Sequence, residues 1–159
     1  MPEPTPLDGE RLETWAALAT VLEWLPPALD AQLLADSDLT HFEYGILYVL
    51  ADAPDRTLRM SALADYANSS LSRLSRAASR LEKKGWMRRT PDPADGRSTL
   101  AALTAAGHEQ FERATPGHVD TVKRLILDPL TKAQAKQLRD IARRITGAIR
   151  ETGEWRPSA

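Results

Sequence analysis

The chain has 159 residues, 42% of them hydrophobic and 27% charged, with a formal net charge of −1. That is the composition of a globular protein with one substantial core. It contains no cysteine, which excludes disulfide staples, thiol redox sensing and cysteine-based metal sites. No apolar run approaches the roughly 18–20 residues needed to cross a bilayer, and Met1–Asp8 is Pro-rich and acidic rather than a signal peptide, so no membrane partner and a cytoplasmic location are expected.

Residues 1–8 carry three prolines and little to bury, which predicts a disordered lead. From Gly9 the pattern turns helical: Leu12, Trp15, Leu18, Leu22, Leu25, Leu29 and Leu33 recur at steps of three and four. Pro26-Pro27 sit inside this stripe and predict a kink or break, because proline removes a donor and crowds the preceding turn. The next helix opens at Asp38-Leu39-Thr40, with Thr40 and Glu43 spaced as a capping box. Phe42, Ile46, Leu47, Val49 and Leu50 form its buried side, and Ala53-Pro54-Asp55 ends it.

A short third helix is predicted over Ser61–Ala67, followed by the cap-rich turn Asn68-Ser69-Ser70 and a fourth helix over Leu71–Lys84 that stops at Gly85. Trp86–Thr90 then reads as a strand, Pro91–Gly96 as a turn and Arg97–Leu103 as the returning strand, which together make a hairpin. Thr104 caps a helix from Ala105 toward Leu127, disturbed at Pro116-Gly117 and broken by Asp128-Pro129. Thr131 caps a last helix over Lys132–Thr152, with Ala135, Leu138, Ile141, Ala142, Ile145 and Ile149 on one face. The expected fold is mainly α with a small β-hairpin: a winged helix-turn-helix domain plus N- and C-terminal dimerisation helices. By residue, the winged helix spans 38–103 and the dimerisation region 9–37 and 104–152. The outer helices are too apolar on one face to stand alone in water, and a second copy of the chain is the natural cover.

Charge is unevenly placed. Between Arg56 and Arg97 lie ten basic residues against four acids, so this stretch carries +6 and the remainder −7. A basic middle in an acidic chain is the electrostatic footprint of a polyanion-binding module, although a solvated charged face has the same composition. The fourth helix sharpens the reading. Leu71, Leu74, Ala78 and Leu81 share one side, and Ser72, Arg73, Ser75, Arg76, Ser79 and Arg80 occupy the others. A recognition helix needs this division between a docking side and a groove-facing side. Arginine presents two parallel donors to guanine or phosphate, and one good bidentate base contact contributes about 1–3 kcal/mol of discrimination. Amides near Ser69, Ser70 and Ser72 add an anion site at the helix start.

In the hairpin, Asp95 and Arg97 flank Gly96, and the arginine can enter a minor groove while Asp95 holds its guanidinium. A turn-stabilising salt bridge is the plain alternative, worth about 0–1 kcal/mol when exposed. Arg88 and Arg89 alternate on the first strand, so only one of them faces a DNA backbone. The DNA-binding candidates are therefore Ser70, Ser72, Arg73, Ser75, Arg76, Arg80, Arg88, Asp95 and Arg97.

Residues 38–107 resemble the multiple-antibiotic-resistance regulator (MarR) family of winged-helix proteins. The likeness rests on Leu39-Thr40 with Phe42-Glu43, Leu63-Ala64, Ser75-Arg76, Arg80-Leu81-Glu82-Lys83-Lys84-Gly85-Trp86, Asp92-Pro93-Ala94-Asp95-Gly96-Arg97 and Leu103-Thr104-Ala105-Ala106-Gly107. The resemblance implies an obligate homodimer, double-stranded palindromic DNA read by two fourth helices and two wings, and release when a small aromatic or phenolic effector binds between the lobes. It puts Ser75, Arg76 and Arg80 on recognition-helix positions, and Asp95 and Arg97 on the wing's Asp-x-Arg. Gly96 departs from the family's frequent second basic residue there, and the lack of cysteine excludes the peroxide-sensing branch.

An effector pocket is expected where the first helix meets the second and the DNA-binding lobe, with Trp15, Trp24, His41, Phe42 and Tyr44 as aromatic candidates. Core and dimer packing is the competing role for each. His108 and His118 are expected on the surface, and with His41 they lack metal-ligand spacing, so no metal is expected. No nucleophile–base–orienter set or Gly-rich phosphate loop is present, which predicts neither an enzyme nor a cofactor. A winged helix that binds protein or RNA instead of operator DNA is the alternative function.

Overall fold

The computed structural model describes residues 6–152, so most of the expected disordered lead lies outside the described residues. The chain order is α1 (Gly9–Ser37), α2 (His41–Asp52), a 3-10 turn (Pro54–Arg56), β1 (Thr57–Arg59), α3 (Met60–Tyr66), α4 (Leu71–Lys83), β2 (Met87–Asp92), β3 (Asp95–Leu103), α5 (Ala105–Val122), a π turn (Lys123–Leu127) and α6 (Lys132–Thr152). It is a mainly α fold with a small antiparallel sheet, as the pattern predicts. The sheet has three strands in the order β1-β3-β2. The added strand pairs Thr57 with Ala102 and Arg59 with Leu100. Three residues are too few for a two-residue period to announce itself.

Local chemistry sets the helix boundaries. Thr40 accepts from the Glu43 amide while Glu43 accepts from the Thr40 amide, completing the capping box. Asp38, at φ 53°, ends α1 in the left-handed region that aspartate tolerates. Gly85, at φ 75°, turns the chain out of α4. Thr104 accepts from the Gly107 amide and donates to the Gly85 carbonyl, so one hydroxyl starts α5 and ties it to the end of α4.

The core lies between α2, α3, α4 and the sheet. Leu47, Leu50, Leu63, Leu74 and Leu81 are completely inaccessible, and each such burial stabilises by roughly 1.5–3 kcal/mol. Helix α5 crosses this lobe and meets α1 and α2. Gln110 donates to the Ser37 carbonyl at 2.7 Å, and the Tyr44 and Thr115 hydroxyls share a bond of 3.1 Å.

The proline expectations are corrected in one respect, since neither helix breaks. Helix α1 runs without a break through Pro26 and Pro27, and α5 runs through Pro116. Each proline deletes one intrahelical donor, but the turns on either side hold the helical path. The irregularity in α5 falls later, at the π turn. His118 is also corrected: it is buried, not on the surface. Ala114, His118 and Thr121 recur at steps of four and three on the α5 face that meets the rest of the lobe.

The apolar stripe of α1 divides in two. Leu29 and Leu33 are buried within the chain, whereas Leu12, Trp15, Leu18 and Leu22 stay exposed. Leu138, Ile141 and Ile145 of α6 are exposed as well. No described helix is long and apolar enough to cross a membrane.

Candidate nucleic-acid interface

Helix α4 is built to present one face. Ser70 caps it by accepting from the Arg73 amide at 3.2 Å. Leu74, Ala77, Ala78 and Leu81 dock it on the core, while Ser72, Arg73, Arg76 and Arg80 are exposed. Leu71, expected on the docking side, is 41% exposed at the helix start. At the other end, the Lys84 ammonium pairs with Asp38 and lies 4.9 Å from the Trp86 ring centre, fixing the helix against the α1–α2 corner.

The three α4 arginines are not equivalent. The Arg73 guanidinium lies 4.1 Å from the centre of the Phe42 ring, a cation–π contact. Arg80 donates through Nε to Glu43 Oε1 at 2.6 Å. Arg76 makes no ion pair or side-chain hydrogen bond among the described residues, so its five donors are uncommitted.

Ser75 and Ser79 are half-buried beside the wing. Both hydroxyls accept from Arg89, at 2.9 Å each. Arg89 also grips Glu82, with Nη2 at 2.6 Å. These bonds hold the Glu82 carboxyl below its ordinary range and raise the Arg89 guanidinium further above its own. The strand alternation is thus resolved: Arg89 turns to α4 and Arg88 is exposed. The alternation alone leaves open which arginine forms this clamp, because the choice depends on the strand register.

The wing tip differs from expectation in one bond. Asp95 accepts from the Ser98 hydroxyl at 2.9 Å and the Arg97 backbone amide at 3.1 Å, not from the Arg97 guanidinium. The carboxylate shapes the turn, and the Ser98 bond, followed by the Arg97 amide, holds its pKa low. The Arg97 guanidinium makes no ion pair among the described residues. Behind the tip, Asp92 is buried, accepts from Arg59 at 2.8 Å and caps the Ala94 amide at 2.9 Å. A cleft of about 320 Å³ runs between α4 and the wing, bordered by Ser61, Ser75, Arg89, Arg97, Ser98 and Thr99. Ser61, Ser98 and Thr99 were not among the sequence candidates; they are isolated hydroxyls that only the tertiary fold gathers.

The aromatic candidates separate. His41 and Phe42 line a cleft of about 640 Å³ beside α4, together with Tyr48, Tyr66 and the arginines at 73, 76 and 80. Trp15 and Trp24 stand exposed on α1, and Tyr44 is buried against Phe111 and His118, so these three do not border it. Among the described residues there is no cluster of three or more potential metal ligands.

Residues 37–98 match the model of the MarR family. The uncharacterised helix-turn-helix regulator YdcH of Bacillus subtilis is 33% identical over 87 residues, which is 52% of this chain and 58% of that protein. The chain thus matches well under two thirds of this curated relative. Among solved structures, Sco3205 of Streptomyces coelicolor, a MarR family transcriptional regulator determined in complex with DNA, is 42% identical. That likeness covers 93% of this chain and 92% of Sco3205, with a TM-score of 0.88. AbsC, a MarR family regulator of the same organism, is 29% identical with a TM-score of 0.87, covering 93% of this chain and 99% of its own. With identity of this order sustained over almost the whole of both chains, and with the winged-helix architecture already in place, the chain belongs to the MarR family.

Proposed function

We propose that the protein is a sequence-specific, double-stranded-DNA-binding transcription repressor that acts as a homodimer on a palindromic operator. The observation that carries this reading is the shared cleft of α4 and the wing, with the uncommitted guanidinium of Arg97 on its wall and that of Arg76 exposed on α4. Arg76, assisted by Arg73 and Ser72, reads the major groove. Ser70 and the first amides of α4 seat a phosphate, Arg97 enters the neighbouring minor groove, and Arg88 follows the backbone. Arg80 contributes through the part of its guanidinium that Glu43 leaves open, and Asp95 supports the wing's shape.

Residues 38–103 form the DNA-binding lobe in this reading, and 9–37 with 104–152 form the dimer. The exposed apolar stripes of α1 and α6 support that division, because two copies related by a twofold axis would cover both. Such a pair places two copies of α4 about 34–36 Å apart, one helical turn of DNA, and makes the operator palindromic. A small aromatic or phenolic anion bound in the 640 Å³ cleft, between His41, Phe42 and the α4 arginines, would release the DNA. Such a ligand acts only through its different affinity for DNA-competent and incompetent dimers.

Fragments selected from the source genome by the full chain supply the test. The expected result is recovery of palindromic duplexes, bound by a species that sediments as a dimer. Leu18→Glu with Ile141→Glu should give a folded monomer that no longer binds. Enrichment of single-stranded RNA, or no enrichment, contradicts the reading.

A further inference from the structure

Arg89 carries an unusual share of the wing's bonds. Its Nε and Nη2 donate to Glu82 Oε2 at 3.0 and 2.6 Å, and its own backbone amide donates to Glu82 Oε1 at 2.8 Å. Nη1 donates to the Ser75 hydroxyl and Nη2 to the Ser79 hydroxyl. One strand residue therefore reaches three successive turns of the helix, at positions 75, 79 and 82. With Arg59 and Asp92 behind the tip, this gives the hairpin a second fixed point.

The two serines are left in different states. The Ser79 hydroxyl donates to the Ser75 carbonyl at 3.0 Å while accepting from Arg89, so its proton is used. The Ser75 hydroxyl accepts from Arg89, and its proton has no acceptor among the described residues. A hydroxyl that accepts a charge-assisted bond presents its own proton in a narrowed set of directions and becomes a better donor. Ser75 also borders both the α4–wing cleft and the open groove beside Arg76.

We infer that Arg89, held by Glu82, is a positioning residue for DNA recognition: it sets the angle between wing and recognition helix and aims the Ser75 hydroxyl at the DNA without contacting DNA itself. The inference rests on the DNA-binding function proposed above. It makes Glu82, an acid beside a polyanion site, a residue that DNA binding requires. Simple electrostatics gives the opposite sign, since deleting a negative charge near phosphate should tighten binding.

That difference in sign is the test. The full-length dimer is titrated against a duplex that the parent selects, by fluorescence anisotropy and hydroxyl-radical footprinting, for the parent, Glu82→Gln, Ser79→Ala, Arg97→Ala and the Glu82→Gln/Arg97→Ala pair. Glu82→Gln should bind about tenfold more weakly, lose protection under the wing and retain it under α4. In that background Arg97→Ala should cost little more, because the wing is already misplaced. Ser79→Ala, which deletes one acceptor of the clamp, should shift the same wing protections to a smaller degree, and it serves if Glu82→Gln does not fold. Binding by Glu82→Gln as tight as or tighter than the parent, or costs of Glu82→Gln and Arg97→Ala that simply add, overturns the inference and leaves the DNA-binding reading standing. A parent that ignores duplex DNA overturns both.

Discussion

Arg80 of α4 and Glu43 of α2 form an ion pair of 2.6 Å in which the carboxylate is almost wholly buried, at 3% exposure, and the arginine half exposed, at 52%. Glu43 at once completes the capping box of α2 and anchors the recognition helix. The sequence pattern places Arg80 beside Arg76 as a DNA contact. The fold gives the two residues different work.

Truncating Arg80 leaves a buried carboxylate with one partner fewer, whereas truncating Arg76 leaves no orphan. Arg80→Ala should lower stability by about 1–3 kcal/mol, and Arg76→Ala by less than about 0.5 kcal/mol, measured by urea unfolding of each variant. Equal stabilities for the two would contradict the anchoring role.

Gly107 opens α5 under the last residues before the wing. A Cβ built there would stand 2.0 Å from the Trp86 carbonyl oxygen and 2.8 Å from Leu103 Cδ1. The oxygen is a backbone atom that accepts from the Thr104 amide, so it cannot swing aside. Gly107→Ala should destabilise by at least about 1–3 kcal/mol and separate α5 from the base of the hairpin. A thermal melt together with amide exchange at Met87 and Leu103 reports both effects. A wild-type melting curve would show that the close approach is not required.

Gly85 and the capping residues were legible because each is a local device. Thr40 with Glu43, Ser70 and Thr104 announce helix starts through side chains that act on their own neighbours, and Gly85 announces a helix end through its backbone freedom. The docking face of α4 was legible in the same way, since its period survives any tertiary context. What stayed hidden depends on distant partners. Nothing in the stretch 75–89 says which of Arg88 and Arg89 faces the helix, because that choice is fixed by the pairing of Met87 with Leu103. His118 looked like a surface residue because one histidine in a polar stretch carries no burial signal until α5 is placed. The prolines of α1 and α5 leave their helices unbroken for a related reason: propensity weighs one residue, whereas a long helix draws on the turns at both ends.

His118 also gives the fold a pH dependence. Its ring centre lies 4.3 Å from that of Tyr44 and 5.7 Å from that of His41 on α2, and its Nδ1 is buried with no hydrogen-bond partner among the described residues. From α1, Asp30 holds the His41 amide, and Asp36 with Gln32 abuts the adjacent Gly117. Burial, with a smaller contribution from His41, pushes the His118 pKa below its ordinary value. A lowered folded-state pKa means that the unfolded chain takes up the proton first. The stabilisation is therefore full above the ordinary imidazole pKa of about 6.5 and declines as pH falls from there toward the lowered folded value. Unfolding free energies between neutral and mildly acidic pH should fall in the parent and change less in His118→Gln. Identical pH profiles would place the dependence elsewhere.

The central claim, that α4 and the wing bind duplex DNA as a pair of positively charged elements, is tested most directly by the salt dependence of operator affinity. For the parent dimer, log K should fall steeply and linearly with log salt, about 0.9 for each phosphate neutralised. Arg76→Ala and Arg97→Ala should each weaken binding while leaving the dimer intact, and a variant that loses one phosphate contact per subunit should flatten the slope by about 1.8. Affinity that ignores salt, or both variants binding the operator as tightly as the parent, would contradict the account.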